Sequence, residues 1–317
     1  MKGWKNVIED NQIKAQVSPF AVREGEIKVF DGKDGYVSMN QIIHKINLGQ
    51  INEIHFAIME LVNEFEFITS RQILQMLEIK GIEVKSQEKL NNKMDQLVKS
   101  KILTRYYFNS DEGKGVYRIY CLEKMGKYLL NSKEIECKWQ PSDNIKPVAM
   151  IKKRLAGNQV LIAYLRKVKA FDSYVVKPAL TAKMAAKVFK ATGGSVKLTK
   201  NNKSIQFVFE VFRREEDWQK KLVEKMRLYK DFYENFATGD SGFLGIPQLI
   251  IVCEDEKHMA EAFKEIVINQ VEIPQIKLYF TTDLRQNEDT LENTLVDFTL
   301  VDGKYKMENV ELKLLGM

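Results

Sequence analysis

Apolar residues recur at helical spacing three times in the first half of the chain. The sets are Ile54, Ile58, Leu61, Val62 and Phe65; then Ile73, Leu74 and Leu77; then Leu90, Met94 and Leu97. Positions i, i+3/i+4 and i+7 share one helix face, so each set predicts a short amphipathic helix. Thr69-Ser70 supplies N-cap side chains for the second, Gly81 ends it, and Ser86 opens the third. Two aromatic-rich segments, 102–108 and 116–122, then flank the polar turn Asp111-Glu112-Gly113-Lys114-Gly115 and predict a hairpin. A short closing helix is expected over 123–130.

Three helices followed by a hairpin is the order of a winged helix-turn-helix, expected over residues 51–133. Residues 1–50 carry less pattern and are read as an arm. In it Ile27–Phe30 and Gly35–Met39 are expected to pair around Asp31-Gly32-Lys33-Asp34, with a short helix over 39–46. The segment 134–147 is polar, carries Pro141 and Pro147, and is read as a linker. A second domain is expected over 148–317. Its pattern predicts a helix over 148–169, a strand over 173–176 and a basic helix over 181–190. Strands over 195–200 and 204–212 follow, joined by the turn Lys200-Asn201-Asn202-Lys203. A long helix over 215–236, a buried strand over 246–253, a helix over 258–267, a strand from Lys277 and two short strands complete it. Alternation of this kind predicts an α/β domain with a mixed, partly parallel sheet.

Composition narrows the picture. The 317 residues suffice for two cores. Forty-nine Lys and Arg against 43 acidic residues give a net charge of +6, and the pI is about 8.9. That mild excess suits a nucleic-acid partner without demanding one. Cys121, Cys137 and Cys253 are widely spaced and odd in number, which reads as reduced thiols in a cytoplasmic protein. There is no apolar run of the roughly 18–20 residues needed to span a membrane. His44, His55 and His258 lie far apart, with His55 read as structural. No zinc-protease, nucleophile-elbow, phosphate-loop or dinucleotide signature occurs, so no cofactor or metal is expected.

The second half carries one candidate centre. Its order of strand, turn, strand, long helix, strand, helix and strand resembles the restriction-endonuclease-like core of PD-(D/E)XK nucleases. More specifically, Phe207–Arg213 with Glu210 at its centre, the Lys-rich helix Trp218–Tyr233 and the strand Pro247–Cys253 resemble the replication-relaxation family. That resemblance implies a winged helix joined to a degenerate nuclease-like domain, serving replication, relaxation or transfer of plasmids and mobile elements. An active nuclease of this class needs two carboxylates to hold Mg²⁺ and a Lys two residues after the Glu. Glu210 fits the acidic position, but Phe212 stands in the lysine's place and Gly193–Lys197 offers no Asp. Lys225 on the long helix is the candidate substitute for that lysine. The centre is therefore expected to be catalytically silent.

The expected partner is double-stranded DNA. Gln87, Lys89, Asn91, Asn92 and Lys93 on the polar face of the third helix are the candidate base-reading set, since Asn and Gln pair with adenine and Lys reaches guanine or phosphate. Arg105, Lys114 and Arg118 on the hairpin are the candidate backbone contacts. A homodimer on paired half-sites is expected, with replication or conjugation proteins as further partners. Lys183, Lys187, Lys190, Lys197, Lys200 and Lys203, with the Lys-rich helix, are read either as a phosphate-tracking surface or as solvated faces. Two other classes remain open: an active Mg²⁺-dependent nuclease, and an adaptor whose winged helix docks protein.

Overall fold

The computed structural model describes residues 18–110, 113–287, 291, 294–301 and 304–310. The chain forms two compact units, one of Val22–Asn158 and the other of Met1–Ala21 with Gln159–Met317.

In the first unit, β1 (Ile27–Phe30) and α1 (Met39–Asn47) lead into α2 (Glu53–Phe65), β2 (Ile68–Thr69), α3 (Ser70–Ile79), α4 (Gln87–Lys99), β3 (Leu103–Ser110), β4 (Gly113–Leu122) and α5 (Lys124–Ser132). The periodic residues do what their spacing requires. Ile58, Leu61, Val62 and Phe65 are buried on α2, Ile73 and Leu77 on α3, and Leu90, Met94 and Leu97 on α4. Each such side chain contributes about 1.5–3 kcal/mol by leaving water. Thr69 and Gln72 form a reciprocal capping box at the start of α3, and the Ser86 hydroxyl accepts from the Lys89 amide at the start of α4. β2 pairs with β4, joining the helices to the hairpin as the winged-helix order requires.

The expected pairing of Ile27–Phe30 with Gly35–Met39 is not formed. β1 instead pairs antiparallel with β3, Ile27 opposite Asn109 and Phe30 opposite Tyr106, and makes the sheet four-stranded in the order β1-β3-β4-β2. The aromatic face of β3 accounts for the choice: Phe30 packs edge-on to Tyr106 at 5.9 Å and Lys28 lies 4.7 Å over the same ring. The segment read as a linker holds a 3-10 turn, Pro141–Ile145. Its Asn144 donates to the Leu122 carbonyl at 3.0 Å and accepts from the Trp139 indole.

α6 (Val148–Lys167) contributes its first half to this unit and its second half to the other. The second unit continues with β5 (Phe171–Val175), β6 (Ala179–Ala182), β7 (Lys187–Lys190), β8 (Gly194–Lys200), β9 (Lys203–Val211), α7 (Trp218–Glu234), β10 (Gln248–Cys253), α8 (Glu256–Ile268), β11 (Tyr279–Thr282), β12 (Leu295–Val301) and β13 (Lys304–Val310). Its main sheet has the order β13-β12-β11-β10-β9-β8-β5. β10 is parallel to β9 and β11, and the remaining pairs are antiparallel. The expected mixed sheet is thus present, with α6, the strands β5, β8 and β9, α7 and β10 following one another along the chain. Tyr164 of α6 packs on Phe209 at 5.0 Å, and Leu222, Met226, Tyr229 and Phe232 of α7 are sealed into the core.

The basic helix expected over 181–190 is instead the hairpin β6–β7. Its Ala- and Lys-rich sequence has good helix propensity, but Leu180, Ala182 and Phe189 are buried in the core beside α7 while Thr181 and Val188 face solvent. Asp231 on α7 accepts the Met184 and Ala185 amides at 3.0 and 2.7 Å, fixing the turn. Tertiary packing here overrides propensity. Among the described residues no helix is long and apolar enough to cross a membrane.

Candidate nucleic-acid interface

α4 presents the surface that recognition chemistry needs. With Leu90, Met94, Leu97 and Val98 buried, the opposite face turns Lys89, Asn91 and Asn92 to solvent, while Gln87 and Lys93 are half-buried. Gln87 Nε2 donates to Asn91 Oδ1 at 3.1 Å, one turn along the same face. The positive end of the helix macrodipole adds to Lys89 at the N-terminal turn. Beneath the helix, His55 is buried on α2 and bridges Asn52 and Gln96, the latter at 2.8 Å. Burial lowers its pKa, the Gln96 bond partly offsets this, and the charge of Lys93 lowers it further, so the ring is a neutral strut under α4.

The hairpin cations differ among themselves. Arg105 is largely buried, its side chain 14% exposed, and its guanidinium is committed to Asp95 of α4 and to Asp31 at 2.9 Å. Burial works against that charge, but Asp31, Tyr120 and Asp95 outweigh it and raise the pKa. Arg118 is 57% exposed and touches the same Asp31 carboxylate at 2.9 Å. Lys114 stands opposite Asn109 in the ladder, and only its backbone is among the described parts. Sequence marks Asp95 as an acid on the exposed face of the third helix, and Asp31 only as a turn residue. Asp31 follows β1, and only the pairing of β1 with β3 brings it to both arginines.

Glu210, in the other unit, sits near the end of β9, opposite Ile251 of β10, and is 2% exposed. Thr192 Oγ1 donates to one carboxylate oxygen at 2.7 Å. The Tyr229 hydroxyl donates to the other at 2.7 Å, where Lys225 Nζ also lies at 3.5 Å and the Thr192 amide at 3.3 Å. Thr192 thus stands beside Glu210, just before the strand on which a nuclease would carry its Asp. The two glycines after it bring the backbones close. A Cβ on Gly193 would lie 2.6 Å from Phe209 Cβ, and Gly194 has φ +87°. Phe212 is buried, and Arg213 turns to the opposite face, donating to Asp283 at 2.8 Å and to the Phe212 carbonyl. Lys225 also donates to the Lys190 carbonyl at 2.7 Å, tying α7 to β7. Among the described residues, no group of three or more His, Cys, Asp or Glu is placed to hold a metal ion.

The wider basic run is partly engaged within the fold. Lys183 pairs with Asp240, Lys197 with Asp172 and Lys221 with Glu215, at 2.7, 2.7 and 3.0 Å. Lys187, Lys190, Lys200 and Lys203 are exposed. Thr192 and Tyr229 are the two residues of the Glu210 centre whose roles the sequence concealed. The tyrosine is legible as a core position of α7 and, by resemblance, as part of a Lys-rich helix ending in tyrosine, and the threonine only as a polar residue ahead of a Gly pair.

A family model described as replication-relaxation matches residues 59–245, well over half of the chain. No curated protein matches it. Among solved structures, the restriction endonuclease FokI matches with 9% sequence identity and a TM-score of 0.24. That match covers 74% of this chain and 43% of the FokI chain, so this protein spans less than half of that enzyme's length.

Proposed function

The chain belongs to the replication-relaxation family, and from that premise we propose that it binds duplex DNA in the replication or relaxation of a plasmid or mobile element. It acts in the cytoplasm as a sequence-reading platform, not as a catalyst. The observation that carries this reading is the division of α4, with one face sealed into the core and the other offering Lys89, Asn91 and Asn92 to solvent, together with Arg118 exposed on β4. A helix of this kind fits the major groove, where amide side chains read adenine and lysine reaches guanine or phosphate. The expected operator is a pair of half-sites read by a homodimer, about one helical turn apart.

The test is titration of the full chain against fragments of its own genetic neighbourhood at two salt concentrations, with random DNA as competitor. Selective binding is expected. Asn92→Ala loses about 1–3 kcal/mol at one base pair of the site. Lys89→Ala weakens all sequences alike and lowers the salt slope by about 1 if it holds a phosphate. Weak, salt-insensitive association without selectivity would refute the reading.

A further inference from the structure

The tip of the β8–β9 hairpin carries a concentration of positive charge that the reading above does not use. Lys200 stands directly opposite Lys203 in the ladder, and the two-residue turn between them, Asn201-Asn202, has positive φ at both positions (49° and 62°). Opposed residues in an antiparallel pair project from the same face. Leu198 and Ile205, two places along, share that face, and the two lysines, Ala170, Thr199 and these apolar side chains line one shallow concavity. The nearby acid, Asp172, pairs with Lys197 and accepts from Thr199. By the same alternation Lys197 belongs to the other face, whereas Thr199 also borders the concavity. Lys169 is exposed next to Ala170, whose carbonyl accepts the Thr199 amide at 2.7 Å. Like charges opposed across a ladder destabilise it, so the fold gains nothing from two lysines there.

We propose that this tip is a second DNA contact, entering the minor groove with Asn201 and Asn202 while Lys200 and Lys203 take phosphates on its rims. The inference rests on duplex DNA being the partner. β-ribbons are used to enter DNA grooves, and a two-residue turn is the narrowest tip such a ribbon can present. The asparagine amides meet the acceptors that A·T pairs present there.

The full chain carrying Lys200→Ala and Lys203→Ala is titrated against its duplex over a range of salt, beside wild type and Lys89→Ala. The expected result is a salt slope shallower by about 2, since each released phosphate contact contributes about 0.9. Lys200→Gln with Lys203→Gln should give the same slope with side-chain bulk retained. Asn201→Gly with Asn202→Gly keeps the turn, because glycine accepts positive φ. It should leave the slope intact while reducing the preference for A·T-rich over G·C-rich competitors. Wild-type slope in both lysine variants overturns the tip contact while leaving the α4 reading standing. A wild-type chain that binds no duplex overturns both.

Discussion

Replacing Tyr229 by Phe removes one oxygen from the core and leaves the ring in place. That ring is fully buried, edge-on to Phe189 at 5.1 Å, and its hydroxyl donates to Glu210 at 2.7 Å. Without it, the Glu210 oxygen keeps only the Lys225 ammonium at 3.5 Å and the Thr192 amide at 3.3 Å. A hydrogen bond to a charged group contributes about 1.5–3 kcal/mol net, and here a buried acceptor is left under-satisfied, so a loss of about 2 kcal/mol is expected. At about 2–4 °C per kcal/mol for a unit of this size, Tm should fall by about 4–8 °C. Thermal unfolding followed by circular dichroism measures this directly. The same substitution in a Glu210→Gln background should cost only about 1 kcal/mol, because the remaining bond is neutral. Burial, and then the neighbouring Glu210, push the Tyr229 phenol well above its usual range. A raised folded pKa gives stability that is fully present below the unfolded value near pH 10 and lost as pH rises through the folded one. Tyr229→Phe should therefore be less sensitive than wild type to strongly basic pH. A Tm change under about 1 °C, or equal costs in both backgrounds, would refute the assignment of the hydroxyl to the carboxylate.

Two further perturbations probe the charged clusters. Burial works against the charge of Asp255, but hydrogen bonds from Arg214 and the His258 amide outweigh it and hold its pKa below the usual value. A depressed pKa gives stability that is present above the unfolded value near 3.9 and lost as pH falls through the folded one. Asp255→Asn should thus lower Tm at pH 7 and flatten its decline on acidification; an unchanged acid limb in melts from pH 6 to 3 counts against it. Asp31→Asn removes the carboxylate that Arg118 touches, while Arg105 retains Asp95. Tighter DNA binding at low salt and a slope steeper by up to about 1 are expected, and an unaltered titration would place Arg118 away from the phosphates.

How far the sequence spoke depends on how local the determining physics is. The helices α2 to α4 and the β3–β4 hairpin were legible because apolar spacing, N-cap residues and turn chemistry agree over short windows. Thr69 with Gln72, and Ser86 with Lys89, show the caps in place. The partner of β1 was not legible. Asp31-Gly32 reads as a local turn, whereas the deciding contacts are with Tyr106, some 75 residues on. The β6–β7 hairpin was misread for a similar reason. Nothing in residues 179–190 announces that Asp231 will bind two of its turn amides or that Phe189 will lie against Tyr229. Glu210 is legible because Phe207–Arg213 resembles the acidic strand of the family's pattern. Its partners come from positions 192, 225 and 229, which only the meander and α7 bring together.

The environment of Glu210 also bears on what the second unit is for. A metal-dependent nuclease needs carboxylate oxygens turned outward with lone pairs available, a second acid facing the first, and a cation beside the attacking water. Here both oxygens are engaged, by the Thr192 hydroxyl on one side and by Tyr229 and Lys225 on the other. The lysine slot holds the buried Phe212. Lys225 spends a further hydrogen bond on the Lys190 carbonyl, so the carboxylate, α7 and the β6–β7 hairpin form one connected strut. Such a centre stabilises the scaffold through charge-assisted bonds in a dry environment, where each lost donor is costly. It follows that weakening the strut should lower the stability of this unit while leaving base discrimination by α4 unchanged. A Glu210 centre that worked on DNA directly would couple the two.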